Sequence, residues 1–146
     1  GRRHRARAVI ELTRRHGFAA AHILSQPFFS AEENLAIYGK CANPNGHGHN
    51  YGVEITVTGP IEERTGRIPS PDLLDRIYEE CVESRFARRL LNDDEAFRDR
   101  VPTAENIALV IHEILADEVA KRRSAEGVRV KIVETRNNSC SSGALA

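Results

Sequence analysis

Apolar and polar residues alternate most cleanly between Tyr51 and Thr58. Tyr51, Val53, Ile55 and Val57 fall on one side, and Glu54, Thr56 and Thr58 on the other. A period of two over that length predicts a half-buried strand, running over about 50–58 and ended by Gly59-Pro60. A looser alternation from Ala6 to Thr13 predicts an earlier strand that continues past Arg14-Arg15 toward His22. Val128, Val130, Ile132 and Glu134 alternate with Arg129, Lys131 and Val133 and predict a third. Ser139 to Ala146, small and polar, is a weak fourth.

The period becomes helical in two places. Leu73, Leu74, Ile77, Tyr78, Cys81 and Val82 share a face, which makes Tyr78 and Cys81 core positions. Ahead of them Ser70-Pro71-Asp72 supplies an N-cap, a proline at the first helical position and an acid at the positive end of the dipole. Asn92-Asp93-Asp94 breaks that pattern. A second stripe, Ile107, Val110, Ile111, Ile114, Leu115 and Val119, follows Pro102 on a helix beginning at Thr103. Residues 23–37 show no clean period and contain Pro27, which predicts a loop with one helical turn near Ala31-Glu32-Glu33-Asn34. The order β-β-α-α-β-β, without repeat or linker, predicts a single α+β domain over 1–146. Its antiparallel four-stranded sheet carries both helices on one face. The open strand edges invite closure by oligomerisation.

Composition narrows the partners. Lys+Arg and Asp+Glu both total 21, so the net charge is zero, against a bulk basic surface for nucleic acid. The basic run Arg2-Arg3-His4-Arg5-Ala6-Arg7 reads as a solvated tail. Aromatic residues make up 5 % with no Trp, against stacking platforms for single strands. No apolar stretch approaches a membrane span and no signal-peptide core is visible, so no membrane partner is expected. Cys41, Cys81 and Cys140 form an odd set without disulfide-framework spacing, which predicts a reducing cytoplasm. No methionine occurs, even at position 1, so the chain is expected to lack its native start.

The chemistry concentrates in Gly39 to Tyr51. Asn43-Pro44-Asn45-Gly46 predicts a tight turn. The strand period, carried back from Tyr51, puts His49 and His47 on one face, with Gly48 between them. If the segment ending Phe18-Ala19-Ala20-Ala21-His22 pairs with that strand, His22 can join them. Three neutral imidazoles with an open fourth position make a catalytic zinc arrangement. H-x-H alone is a weak pattern, and three polar histidines near a loop fit it equally. Cys41 fits a fourth ligand closing a structural site, or a nucleophile or base beside an open one. Glu105 and His112 share a helical face, with a satisfied surface or interface histidine the favoured reading. Glu134 by itself reads as a strand-edge carboxylate paired to Arg136 or Arg129.

Gly39 to Tyr51 resembles the signature of the 6-pyruvoyl-tetrahydropterin synthase family. Phe18-Ala19-Ala20-Ala21-His22, Pro102-Thr103-Ala104-Glu105-Asn106 and Glu134-Thr135 resemble its other motifs in order and spacing, over nearly the whole chain. The C-x5-H-x-H spacing is that of the pyruvoyl-forming branch; the carboxy-tetrahydropterin branch usually has a shorter one. The resemblance implies a tunnelling fold, in which trimers close a β-barrel and two trimers stack as a hexamer with sites at subunit interfaces. It implies Zn2+ on His22, His47 and His49, Cys41 as the catalytic base, and Glu134 holding a pterin ring. Thr135, Thr103 and Glu105 come with it as substrate-binding positions. The family reaction is a lyase step on 7,8-dihydroneopterin triphosphate that eliminates triphosphate.

One departure stands out. Relatives carry Leu-Asp-His-(Lys/Arg)-x-Leu-Asn where this chain reads Phe86-Ala87-Arg88-Arg89-Leu90-Leu91-Asn92. The Asp-His dyad that assists proton transfer is Ala87-Arg88, and an arginine cannot serve as a base near neutral pH. Arg88 is expected instead to contact an anionic or carbonyl oxygen of the substrate. Arg67-Ile68-Pro69-Ser70 also drifts from the family pattern. Three expectations follow: the family's pterin chemistry, a diverged enzyme acting on another small carbonyl or amine, or a catalytically silent binding homologue.

Overall fold

The computed structural model describes residues 9–68, 70–123 and 125–143. The basic run at 2–7, the first residues of the strand expected from Ala6, Pro69 and the tail at 144–146 lie outside the described residues. β1 (Val9–His22) and β2 (His47–Pro60) pair antiparallel along their whole lengths, from Val9 opposite Pro60 to His22 opposite His47. β3 (Gly127–Thr135) pairs with β2, and β4 (Asn138–Ser142) with β3. The sheet order is β1-β2-β3-β4. β2 begins at His47, earlier than the expected Asn50, because pairing with β1 extends to its end.

The period-two pattern sorts the faces. Phe18, Ala20, Tyr51, Val53, Ile55, Val57, Val130 and Ile132 are buried in one core. Two helical runs share that core: α2 (Pro71–Tyr78), which continues below, and α4 (Ala104–Lys121). The other face is polar. It carries Arg15 3.5 Å and Lys131 3.9 Å from Glu54, and Arg129 3.4 Å from Glu11. Exposed pairs of this kind fix little stability. The expected sheet and the two main helices are all present.

Between β1 and β2 the structure has α1 (Ala31–Tyr38) where one helical turn in a loop was expected. A capping box starts it: Glu33 N–H donates to Ser30 Oγ at 3.1 Å, and Ser30 N–H to Glu33 Oε1 at 3.4 Å. Such reciprocal capping needs no buried stripe. None of its residues is buried, and Leu35 and Ile37 stay exposed, so apolar periodicity could not find it.

α2 runs on through a wide turn, Glu79–Glu83, in which Ser84 N–H reaches Glu79 O, into α3 (Ser84–Phe86). Leu74, Tyr78, Val82 and Phe86 are spaced by fours, which on a regular helix drifts about 40° per step. The wide turn absorbs that drift, and all four are at most 2 % exposed. The chain then returns to the free edge of β1. There Arg88 N–H donates to Ala19 O at 2.6 Å and Ala21 N–H to Arg89 O at 3.0 Å.

Candidate metal centre

The β1–β2 register places His22 opposite His47, and His49 opposite Ala20. All three imidazoles therefore point to the core side of the sheet, at its end. His22 Nε2 lies 3.1 Å from His47 Nε2, which lies 2.9 Å from His49 Nε2. These ligand atoms all fall within 4.8 Å of one another. His22 is fully buried. Its Nδ1 lies 2.8 Å from Pro102 O, a carbonyl that can only accept, so Nδ1 carries the proton and Nε2 offers a lone pair. Tyr51 Oη lies 3.1 Å from the same Nδ1.

The nitrogens test the metal reading. One proton on His47 Nε2 cannot serve two neighbouring Nε2 atoms at once. A shared cation can, since three nitrogens about 2.1 Å from a tetrahedral ion lie about 3.4 Å apart. A carbonyl fixing the far nitrogen of a ligand histidine is the usual support of such a site. Burial, then the neighbouring His49, holds His47 below the ordinary imidazole range, against the Glu134 charge. Burial likewise lowers His22, against the Pro102 carbonyl. Both are therefore neutral, as ligands must be. The donor set fits zinc.

Cys41 flanks this set. It sits on a 3-10 turn, Gly39–Ala42, entered through Gly39 at φ 58°. Leu24 N–H donates to Cys41 O at 2.7 Å, tying the turn to the end of β1. Cys41 Sγ lies 3.4 Å from His47 Nε2. Burial, and then the Glu134 charge, pushes its thiol up.

Glu134, near the end of β3, acts electrostatically on His22, His47, Cys41 and Tyr51. Its Oε1 accepts from Asn138 Nδ2 at 3.2 Å, while Arg129 turns to Glu11 instead. Among the described residues no ion pair joins Glu134 to Arg129 or Arg136.

The other candidates scatter. Thr103 caps α4, its Oγ1 accepting from Asn106 N–H at 3.2 Å. Thr135 Oγ1 accepts from Asn137 N–H at 3.3 Å in the β3–β4 turn. Glu105 accepts from the Cys140 thiol at 3.3 Å, and burial plus that carboxylate pushes Cys140 up to about 11. Arg88 stands on the β1 edge, lining a cavity that His49 also borders. Three contributors escaped the sequence. Tyr51 read as an apolar strand position, although its parity with His49 was a usable signal. Cys140 lay in a weak strand, and nothing in the sequence flags the Pro102 carbonyl.

Residues 11–144 match the family model described as 6-pyruvoyl tetrahydropterin synthase. The chain belongs to this family. It is 40 % identical over 135 residues to the 6-pyruvoyl tetrahydrobiopterin synthase of Homo sapiens, covering 90 % of each chain. It is 41 % identical over 131 residues to that of Drosophila melanogaster, covering 89 % of this chain and 77 % of the other. The solved structure of Caenorhabditis elegans 6-pyruvoyl tetrahydropterin synthase superposes with a TM-score of 0.86 at 29 % identity, covering 96 % of this chain and 99 % of that one. The four-stranded antiparallel sheet with its helices is therefore the fold of 6-pyruvoyl tetrahydropterin synthase relatives. Among the described residues no helix is long and apolar enough to cross a membrane.

Proposed function

We propose that this protein is a zinc-dependent, lyase-type enzyme of pterin biosynthesis, built as one domain and acting on a dihydropterin such as 7,8-dihydroneopterin triphosphate. The observation that carries it is the convergence of His22, His47 and His49 nitrogens beside Cys41. His22, His47 and His49 would hold the zinc, which when bound supplies Lewis-acid polarisation of the side-chain oxygens. Pro102 O keeps the His22 proton on Nδ1 and so keeps Nε2 free. Burial and Glu134 disfavour the Cys41 thiolate; the charge of a zinc held beside it would favour it, and as thiolate Cys41 would take and return the proton of the side-chain carbon. The Glu134 carboxylate suits the paired ring N–H and amino donors of a pterin, a bidentate fit. Thr103 and Glu105, at the start of α4, and Thr135 beside Glu134 are further candidates for the ring. Family membership and the open edges of β1 and β4 support a trimer or hexamer; a concentration-independent monomer in light scattering would contradict it. Unpaired Cys41, Cys81 and Cys140 suit a cytoplasmic setting.

Ala87-Arg88 favours a second reading, in which the same centre serves another small carbonyl or amine. A positioned acid–base group contributes about 10²–10⁴-fold. Turnover of 7,8-dihydroneopterin triphosphate by the zinc-loaded protein is therefore expected to be weak. Ala87→Asp combined with Arg88→His is expected to raise it by about 10²-fold or more. No gain, together with no binding of dihydroneopterin, would move the protein to the second reading.

A further inference from the structure

The β1–β2 pairing ends at His22, opposite His47. Beyond it, Ile23 is met by a side chain rather than a strand. Ile23 N–H donates to Asn92 Oδ1 at 2.8 Å, and Asn92 Nδ2 donates to Ile23 O at 2.8 Å. One carboxamide thus takes both polar groups of one residue, as a neighbouring strand would. The residues before Asn92 follow the same edge. Ala21 N–H donates to Arg89 O at 3.0 Å, and Ala21 and Leu90 form a parallel bridge. Asn92 itself lies on a 3-10 turn, Leu91–Asp93. Just after it, Asp94 takes two bonds from Arg85, at 2.9 and 2.7 Å, and one from Ala96 N–H at 2.9 Å. The end of β1 is therefore held on both edges, by β2 on one side and by this anchored segment on the other.

A second support acts on the proton of the ring. His22 Nδ1 meets Pro102 O at 2.8 Å, and the direction of that carbonyl is set by its neighbours. Val101 O accepts from Thr103 N–H at 2.8 Å, which closes a three-residue turn centred on Pro102. The same Val101 O accepts from Asn106 Nδ2 at 2.8 Å. The proline ring fixes φ at the centre of the turn, and the Asn106 amide ties the turn to the first turn of α4. Val101 and Pro102 are both buried.

We infer that Asn92 and Asn106 are positioning residues for His22. Asn92 sets where the ring stands. Asn106, through Val101 and Pro102, sets which ring nitrogen carries the proton. Both act through the main chain rather than on the ring. A ligand imidazole needs its lone pair aimed and its other nitrogen occupied by a proton, and the two asparagines divide those requirements between them. Their value to a metal rests on the proposed zinc reading; their hold on His22 does not.

The test combines two measurements. NMR of protein carrying isotope-labelled histidine reads the imidazole nitrogens after chelation, with His22→Ala to assign the ring. Competition titration reads zinc affinity. In the wild type the His22 proton should reside on Nδ1. Asn106→Asp removes the donor to Val101 O, while an acid stays favourable in the first turn of a helix. The proton should then spread over both nitrogens and zinc affinity should fall about tenfold. Asn106→Gln, which keeps the amide on a longer arm, should lie between wild type and Asn106→Asp in both readouts. Asn92→Asp keeps the acceptor for Ile23 N–H and loses the donor to Ile23 O. Zinc affinity should again fall about tenfold, with the proton still on Nδ1. Urea melts of the chelated variants read the fold separately. Lower stability with unchanged zinc affinity would make the asparagines supports of the fold alone and overturns the proposal. A wild-type proton on Nε2, or a proton unmoved in Asn106→Asp, overturns it too. A wild type without affinity for zinc fells the metal reading, and the proton position then decides for or against Asn106 by itself.

Discussion

His16 and His22 both project from β1 toward the core, and both have a tyrosine close by, yet they sit in opposite electrical settings. His16 stacks on Tyr78, centroids 4.2 Å apart at 13°, with Nε2 3.3 Å from Asp75 Oδ1. Asp75 in turn takes two bonds from Arg14, at 3.1 and 2.7 Å. That cluster contains its own anion and its own cation. His22 meets Tyr51 Oη, a carbonyl, and two more imidazoles. Burial lowers the imidazole pKa in both cases, so burial does not separate them. What separates them is the chemistry of the facing atoms. A carboxylate and a guanidinium complete the first cluster, while converging lone pairs leave the second short of a positive charge.

The largest expected break in this contrast is His22→Ala. Metal affinity should fall by more than about 100-fold, since even supporting residues are worth 10–100-fold. His16→Gln should leave metal content unchanged. Elemental analysis of the purified variants reads both, and zinc retained by His22→Ala would put the two clusters on one footing.

A smaller effect should separate the two tyrosines. Tyr51→Phe removes the hydroxyl beside His22 Nδ1 and should weaken zinc binding about tenfold in a competition titration. Tyr78 Oη is buried with no partner among the described residues, so Tyr78→Phe should leave zinc binding alone and raise stability by up to about 1 kcal/mol in urea. Equal zinc affinities would remove Tyr51 from the support of the centre.

The smallest effect is a pH dependence. Burial holds the His16 imidazole below 6.5, against the opposing pull of Asp75, Glu79 and Glu83 and with Arg14 adding to the lowering. The unfolded chain therefore takes up this proton first. Stability is fully present above about pH 6.5 and is lost as pH falls toward the depressed folded value. One proton gives at most about 1.4 kcal/mol per pH unit. His16→Gln should remove that part of the slope in denaturant melts at pH 7.5 and 5.5. An unchanged slope would show that His16 is not held neutral.

Much of the site was legible because it obeys one local rule. The period of two through His47, His49 and Tyr51, and the pairing of β1 with β2, put His22, His47 and His49 together without distant information. Cys41 was legible as a neighbour, though not its contact with His47. Three features depended on tertiary context. α1 forms around a cap with no buried stripe. The wide turn at Glu79–Glu83 exists because residues spaced by fours must all reach one core. The pinning of Arg88 to Ala19 joins segments far apart in the chain, and no local pattern announces it.

The bond from His22 to Pro102 O has a consequence for the order of folding. The three imidazoles belong to neighbouring strands joined by a single connection, so they can come together once that pair forms. Their orienting carbonyl is 80 residues further along. Closing a loop of that length is slow compared with pairing adjacent strands. A half-folded chain therefore owns the ligands while His22 still chooses freely between its two proton positions. The ring is committed to one of them only when the start of α4 docks, so the arrival of the last helix sharpens an affinity that the first two strands can offer only loosely.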